Sequence, residues 1–264
     1  MRVPAPGLNA VERGILLHRV LYRLYAELTD HAALVNSDDA ALATVIRHSV
    51  EAALREAQTR KPEIFNPRFL ALEQERLSQL LRDWVQQERV RAPFSVEQRE
   101  LDREVTVGPL QLNTRVDRLD RFVDGSYAII DYKTGDTKSS AWQGERPDEP
   151  QLPCYAVTVS EGISAVLFAV LRPGDTGYRG YTRYPGIAPA VPGFDELRHP
   201  PDDCENWQAL FEHWRSVLTR LAEDYAAGAA EVAPKDRNRT CRVCHLANLC
   251  RIDEIQALGE PDDD

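Results

Sequence analysis

The sequence predicts an α/β fold: a helical N-terminal part, then a central mixed β-sheet flanked by helices, then a Cys-rich C-terminal segment. Residues 11–28 carry leucines at spacings of three and four, which is the pattern of an amphipathic helix. Further helical patterns cover residues 38–58 and 67–90. From Phe94 onward, short apolar runs alternate with turn residues, which predicts strands.

Five strands and two later helices complete this prediction. Gly108-Pro109 and Asp124-Gly125 provide turns between consecutive strands. The predicted strands are 96–107, 110–119, 127–132, 165–171 and 177–184, and the predicted helices are 149–160 and 204–227. We expect 1–93 and 94–232 to form one domain, with a Cys-rich segment at 233–256 and a disordered acidic tail at 257–264.

Two aspartates and a lysine surround the predicted turn at Asp124-Gly125. Asp117 lies on the strand before it and Asp131 on the strand after it, so both carboxylates meet at one end of a small sheet. Lys133 follows Asp131 by two residues and therefore projects from the same face. Carboxylates that hold a divalent cation beside an ammonium suit phosphodiester hydrolysis. Asp-x-Lys alone is a weak signal, and a surface hairpin with scattered charges is the alternative.

Composition limits the class of protein. No apolar run reaches the length of a membrane span, which predicts a soluble, cytoplasmic protein. The formal net charge of −10 opposes tight binding to a phosphate backbone. Locally basic stretches nevertheless make Arg115, Arg118 and Arg242 candidate nucleic-acid contacts, with an ordinary solvated surface as the alternative. No GxxxxGK[ST] loop occurs, so the chain carries no ATP-driven motor of that type.

Four short motifs resemble the RecB/AddB branch of the PD-(D/E)XK nuclease superfamily, and they follow that branch's order. They are RGILLH at 13–18, RVDRLD at 115–120, IDYKTG at 130–135 and QLPCY at 151–155. The resemblance implies a restriction-endonuclease-like core. Two departures occur: Asn113-Thr114 stands where relatives often have a glycine, and Val116-Asp117 stands in place of the nominal Pro-Asp.

The resemblance also implies roles for individual residues. It makes Lys133 the catalytic lysine, and it gives Gln151 and Tyr155 a supporting role toward the site and the DNA strand. The implied ligands of Mg²⁺ or Mn²⁺ are His18, Asp117, Asp131 and the main-chain carbonyl of Tyr132. We therefore expect His18 to approach the two aspartates in the folded protein, although a lone histidine on a helix is more often only packed or solvated.

Three cysteines near the C-terminus form a second chemical motif. Thiolates as close as Cys241, Cys244 and Cys250 suit a soft metal or an iron-sulfur cluster. The resemblance implies a [4Fe-4S] cluster completed by a cysteine upstream of the histidine helix. Residues 1–13 contain no cysteine, so we expect a fragment cut inside the domain and a colourless purified protein. Cys154 and Cys204 are candidate replacements.

Three states stay open for this motif: an intact cluster, a vacant and mobile segment, and a zinc site that includes His245. For the chain as a whole, the resemblance implies a metal-dependent DNA nuclease that cuts single strands or duplex ends in recombination repair, as an exonuclease or an endonuclease. A helicase-like domain or subunit is the expected partner. The alternative is a catalytically inactive DNA-binding module of the same fold.

Overall fold

The computed structural model of the chain describes residues 7–159, 162–250 and 252. The helices are α1 Ala10–Glu27, α2 His31–Asn36, α3 Asp39–Arg60, α4 Pro67–Arg89, α5 Gln151–Val159, α6 Trp207–Ala226, α7 Arg237–Val243 and α8 Ala247–Cys250. The strands are β1 Phe94–Val107, β2 Leu110–Phe122, β3 Tyr127–Lys133, β4 Ile163–Arg172 and β5 Asp175–Thr182. The expected acidic tail, residues 257–264, lies outside the described part of the chain.

The strands form one mixed sheet in the order β1-β2-β3-β4-β5. Neighbours are antiparallel except β3 and β4, which are parallel. Parallel neighbours require a crossover, and α5 lies within the connection between these two strands. A mixed five-stranded sheet flanked by helices confirms the predicted fold class.

The main helices begin at residues whose side chains cap them. The Asn9 side chain accepts a hydrogen bond from the Glu12 N–H, and the Glu12 carboxylate accepts one from the Asn9 N–H. This reciprocal pair satisfies main-chain donors that the first turn of a helix leaves unpaired. Similar side-chain caps start α3, α4 and α6, at Asp38, Asn66 and Asn206. Helix starts are therefore visible in the sequence.

Each face of the sheet packs against its own set of helices. The first core contains residues of α1, α3 and α4 together with Ala128, Ile130 and Tyr132 of β3. The second core contains residues of α5 and α6 together with Ile129 of β3. Because side chains alternate along a strand, β3 is buried on both faces, as its apolar sequence predicts.

The structure adds elements that the sequence pattern does not indicate. α2 has six residues and is held by its cap, since the Asp30 carboxylate accepts a hydrogen bond from the Ala33 N–H. A segment this short shows no helical periodicity. α6 begins at Trp207 rather than near 204, because a 3-10 turn occupies Pro201–Asp203. Within the described ranges, no helix is both long and apolar enough to cross a membrane.

Gly180 provides a test of the packing between β4 and β5. Its φ is +147°, and a Cβ at this position would collide with the main-chain oxygen of Val166. At Gly177 of the same strand, an added Cβ would meet its nearest neighbour at 3.8 Å. We expect Gly180→Ala to lower the free energy of unfolding by about 1–3 kcal/mol, because it adds backbone strain and a steric clash. Urea unfolding followed by circular dichroism measures this loss.

Gly177→Ala is the matched control, and it should change stability by less than about 1 kcal/mol. Equal effects of the two substitutions would contradict the close approach of β4 and β5.

Candidate active site

A cleft of about 450 Å³ lies where the pairing of β2 with β3 ends and is bordered by α1 and the start of α5. The last antiparallel pair of β2 and β3 joins Arg118 to Ile130, so Asp117 and Asp131 come one residue beyond it on their strands. Both aspartates line the cleft together with Lys133. The β2–β3 turn and its register therefore bring the two carboxylates to one place, as the sequence predicts.

His18 of α1 completes this group from a distant part of the sequence. Its Nδ1 lies 3.1 Å from Oδ1 of Asp117, and its Nε2 lies 3.1 Å from the main-chain oxygen of Tyr132. The structure thus brings His18 to two of the three groups expected to share a cation with it. Burial lowers the pKa of His18, but the hydrogen bond and charge of Asp117 and the charge of Asp131 raise the pKa above its ordinary value.

Asp117 links the two strands through its second oxygen. Its Oδ2 accepts a hydrogen bond of 2.7 Å from the main-chain N–H of Tyr132. Tyr132 therefore offers its N–H to Asp117 and its carbonyl oxygen to His18. These contacts fix the main chain of β3 at the point where its carbonyl faces the cleft.

Asp131 is buried next to another carboxylate, and both facts disfavour its charged form. Its Oδ2 has no hydrogen-bond partner, although the Lys133 ammonium lies 3.1 Å away as an ion pair. Burial raises the pKa of Asp131, the nearby charge of Asp117 raises it further, and Lys133 offsets only part of this, so the pKa is about 6. A buried carboxylate oxygen that lacks a hydrogen bond is a suitable position for a bound cation.

Lys133 lies between two carboxylates. Its Nζ is 3.1 Å from Oδ2 of Asp131 and 2.6 Å from Oε2 of Glu149. Burial lowers the pKa of Lys133, but Asp131 and Glu149 raise it above its ordinary value, so the side chain is charged at neutral pH. No motif in the sequence includes Glu149, which lies in the loop before α5.

Glu100 of β1 is a second residue that the motifs do not reveal. The β1–β2 register pairs Arg99 with Arg118 and Leu101 with Val116, which leaves Glu100 opposite Asp117. Glu100 lines the cleft and has a φ of +49°, which is uncommon for a residue other than glycine. The many charged residues of β1 are typical of an exposed edge strand. Among them, nothing in the sequence distinguishes Glu100 from a solvated surface residue.

Arg115, one of the predicted nucleic-acid contacts, also lines the cleft. Its Nη2 lies 2.5 Å from Oε2 of Glu100, and its main-chain oxygen accepts a hydrogen bond from the Gln151 amide. Gln151 borders the cleft, but Tyr155 does not share that position. Tyr155 is buried in the second core with its hydroxyl near Arg103. Of the two residues of the QLPCY motif with an expected role, Gln151 therefore lies at the cleft and Tyr155 lies in the second core.

One expected nucleic-acid contact needs correction. Arg118 is fully buried, and its Nη2 lies 2.9 Å from both Glu88 and Asp120. A guanidinium in that position cannot reach a nucleic-acid strand. Arg242, by contrast, is exposed in the last turn of α7.

The cysteines fall into two groups. Cys241 and Cys250 are half-buried and Cys244 is exposed, in the segment that contains α7 and α8. Cys154 and Cys204 are buried in the second core, where burial raises the pKa of Cys154 to about 11 and also raises that of Cys204. A raised pKa disfavours the thiolate that metals bind, so neither buried cysteine suits an exposed cluster.

Oxygen and imidazole donors at the cleft match the ligands that Mg²⁺ or Mn²⁺ takes in proteins. In the residues that the structure describes, no three His, Cys, Asp or Glu side chains are already arranged to hold a metal ion. The geometry of His18 provides a reason, since both ring nitrogens face protein oxygens. A cation held by the same groups would replace at least one of these contacts.

The raised pKa of Asp131 predicts how stability depends on pH. A carboxyl whose pKa is about 6 when folded, against an ordinary 3.8, binds its proton more tightly in the folded state. Its contribution to stability is therefore largest at low pH and is lost as pH rises through about 6. We expect Asp131→Asn, measured in a chelator at pH 8, to raise the free energy of unfolding by on the order of 1–3 kcal/mol.

This gain should shrink toward zero as the pH is lowered to about 3, below both pKa values, where the Asp131 carboxyl is protonated in the folded and in the unfolded state. Asp136→Asn, at an exposed position three residues after Lys133, is the control and should change little at either pH. A gain that is the same at both pH values would show that burial does not penalise the Asp131 charge.

One of three comparisons with known proteins places this chain in a family. The family model described as the PD-(D/E)XK nuclease superfamily matches residues 2–251. No curated protein matches the chain. Among solved structures, the crystal structure of SSO0001 is similar, with 16% identity and a TM-score of 0.32 over 95% of this chain and 88% of that one. Because the family match spans nearly the whole described sequence, this chain belongs to the PD-(D/E)XK nuclease superfamily, whose enzymes hydrolyse phosphodiester bonds with Mg²⁺ or Mn²⁺.

Proposed function

We propose that this chain is a metal-dependent DNA nuclease of the RecB/AddB branch that cuts single strands or duplex ends during recombination repair. The observation that carries the proposal is the meeting of His18, Asp117 and the Tyr132 carbonyl beside the Asp131–Lys133 ion pair in one cleft. His18 belongs to α1 and is 114 positions from Tyr132, whereas the other groups belong to the adjacent strands β2 and β3. A solvated surface histidine has no reason to lie there.

The proposal assigns a cation to four groups of the cleft. His18, Asp117, Asp131 and the Tyr132 carbonyl would hold it, and the buried Oδ2 of Asp131 supports this, because its only ion-pair partner is Lys133 and it makes no well-formed hydrogen bond among the described residues. When bound, Mg²⁺ or Mn²⁺ lowers the pKa of a water molecule and neutralises charge on a phosphate.

Two basic residues of the cleft act directly on the substrate in this proposal. Lys133 is a fixed positive charge that orients the attacking water and stabilises the charge that develops on the phosphate. Asp131 and Glu149 together raise the pKa of Lys133, and the ion pair with Glu149 keeps the ammonium near the cleft. Arg115 contacts a phosphate of the strand, and Gln151 positions Arg115 through its main-chain oxygen.

The proposed role in recombination repair and the proposed partner both rest on the RecB/AddB resemblance. A net charge of −10 supports a partner that delivers DNA to the cleft, and we propose a helicase-like domain or subunit for this role. We also propose that 1–93 and 94–232 act as one nuclease domain, since α1 carries His18 and β2 and β3 carry the two aspartates. Residues 233–256 then form an attached Cys-rich segment.

Substitutions at the cleft test the catalytic roles. Asp131→Ala should abolish Mn²⁺-dependent cleavage of a labelled single-stranded DNA. Lys133→Ala should lower the rate about 100-fold or more, because it removes a preorganised positive charge, while Mn²⁺ binding is largely kept. Asp136→Ala, exposed and outside the cleft, should cut at the native rate.

If the Asp131→Ala variant cleaved DNA at the native rate, the assignment of this cleft as the active site would be wrong. If the unsubstituted chain binds DNA but cuts neither linear nor circular single strands with Mn²⁺, it is the inactive DNA-binding module instead. Cleavage of the circle would identify an endonuclease, since a circle has no ends.

We further propose that Cys241, Cys244 and Cys250 are three ligands of an iron-sulfur cluster, with a zinc site that includes His245 as the alternative. Cys154 and Cys204 do not supply the fourth ligand, because both are buried in the second core. These 264 residues therefore leave a four-cysteine cluster one ligand short, and we expect the chain to be colourless when purified without oxygen.

Absorbance at about 400 nm, where iron-thiolate clusters absorb, and metal analysis check this expectation. A colourless protein with one zinc that Cys244→Ser removes would favour the alternative. A brown protein with stoichiometric iron would show that this chain supplies a complete ligand set, which contradicts the exclusion of the buried cysteines.

A further inference from the structure

Four charged side chains form a fully buried ring behind the candidate site, and we call this the charge ring. Its members are Glu88, Arg91, Arg118 and Asp120, each with no exposed side-chain surface. Glu88 belongs to α4, Arg91 follows that helix, and the other two belong to β2. Two positive and two negative charges balance within it.

The charges alternate around the ring, so each one contacts two of opposite sign. Arg118 Nη2 lies 2.9 Å from Glu88 Oε2 and 2.9 Å from Asp120 Oδ2. Arg91 Nη1 lies 3.1 Å from Glu88 Oε1 and 2.8 Å from Asp120 Oδ2. A closed ring of this kind holds α4 and β2 in one relative position.

Aromatic side chains extend the charge ring to three further elements. The Tyr25 hydroxyl of α1 donates to Glu88 Oε2 at 2.7 Å and accepts from Trp84 Nε1 at 2.7 Å. The Tyr178 hydroxyl of β5 donates to Glu88 Oε1. Arg118 lies 4.1 Å from the centre of the Tyr25 ring, and its Nη1 lies 3.4 Å from the Tyr132 hydroxyl of β3.

Stability alone does not account for this arrangement. Buried ion pairs can often be replaced by apolar residues of similar volume without loss of stability, because desolvation offsets the attraction between charges. Four buried atoms of the ring also lack hydrogen bonds: Arg91 Nε and Nη2, Arg118 Nε and Asp120 Oδ1. Such a ring fixes orientation through directional contacts that an apolar core would not make.

The ring touches every element that carries a proposed cation ligand of the cleft. On α1, Tyr25 follows His18 by seven residues, which is two helical turns. On β2, Arg118 directly follows Asp117. On β3, Tyr132 itself carries the carbonyl that His18 contacts and the N–H that Asp117 accepts.

We propose that the charge ring positions His18, Asp117 and the Tyr132 carbonyl for a shared cation. Within the ring, Glu88 makes the contacts to both tyrosines, Tyr25 and Tyr178. The residues of the ring and these two tyrosines are positioning residues, since they act through those ligands. This inference rests on the proposed function. It predicts that a change on β5, which supplies no ligand, alters cation affinity at the cleft.

Tyr178→Phe and Tyr25→Phe test the inference with little change in volume, and Glu88→Gln removes the charge that both tyrosines contact. Calorimetry measures Mn²⁺ binding to each DNA-free protein, and ¹⁵N NMR reports the environment of the His18 ring nitrogens. We expect each Tyr→Phe variant to bind Mn²⁺ about 10-fold more weakly, as for other residues that orient metal ligands. The cleavage rate at saturating Mn²⁺ should change much less.

Thr182→Val is the matched control, because it removes another buried hydrogen bond of β5, from Thr182 Oγ1 to the Pro192 carbonyl. It should lower stability without changing Mn²⁺ affinity or the His18 signals. Should Glu88→Gln fail to fold, the two Tyr→Phe variants still decide the question. Native Mn²⁺ affinity in both, with native His18 signals, would overturn the inference.

An equal loss of affinity in Thr182→Val would also overturn it, since general destabilisation would then explain the effect. Failure of the proposed function looks different: the unsubstituted protein would bind no Mn²⁺ at the cleft and cut no DNA. Native cleavage together with unchanged Mn²⁺ affinity in the Tyr→Phe variants would refute only the positioning role.

Discussion

The contact of His18 with Asp117 and the Tyr132 carbonyl is the constraint that the arrangement of α1, β2 and β3 satisfies. It joins residues that are up to 114 positions apart. For this contact to exist, α1 must lie beside the point where the pairing of β2 with β3 ends, and the first core holds it there. The two strands must also keep their register, since a slip of one residue would turn Asp117 to the other face.

Local chemistry explains the parts that the sequence predicts. Capping residues such as Asn9 and Asn66 mark where helices begin, and Gly125, with a φ of +84°, allows the turn between β2 and β3. That turn brings Asp117 and Asp131 together without help from the rest of the chain. The position of His18 is different, because only the resemblance to a nuclease family links it to the aspartates.

Tertiary contacts explain what the sequence does not predict. Arg118 is indistinguishable from a surface arginine until α4 brings Glu88 to it. Glu149 pairs with Lys133 across a loop that has no regular pattern. Glu100 reaches the cleft through the register of β1 against β2 and a positive φ. Charges of this type are equally common on solvated surfaces, so residue type and spacing cannot identify their partners.

The position of β3 has a consequence for biosynthesis. Its parallel neighbour β4 begins at Ile163, and β5 pairs with β4 only after residue 175, so the sheet that supports the aspartates is completed late. A ribosome-bound chain that has exposed His18, Asp117 and Lys133 still lacks two of its five strands. Contacts between residues so far apart form slowly, because closing long loops costs entropy. The site that holds both aspartates and Lys133 is therefore supported by a complete sheet only after β4 and β5 have been synthesised.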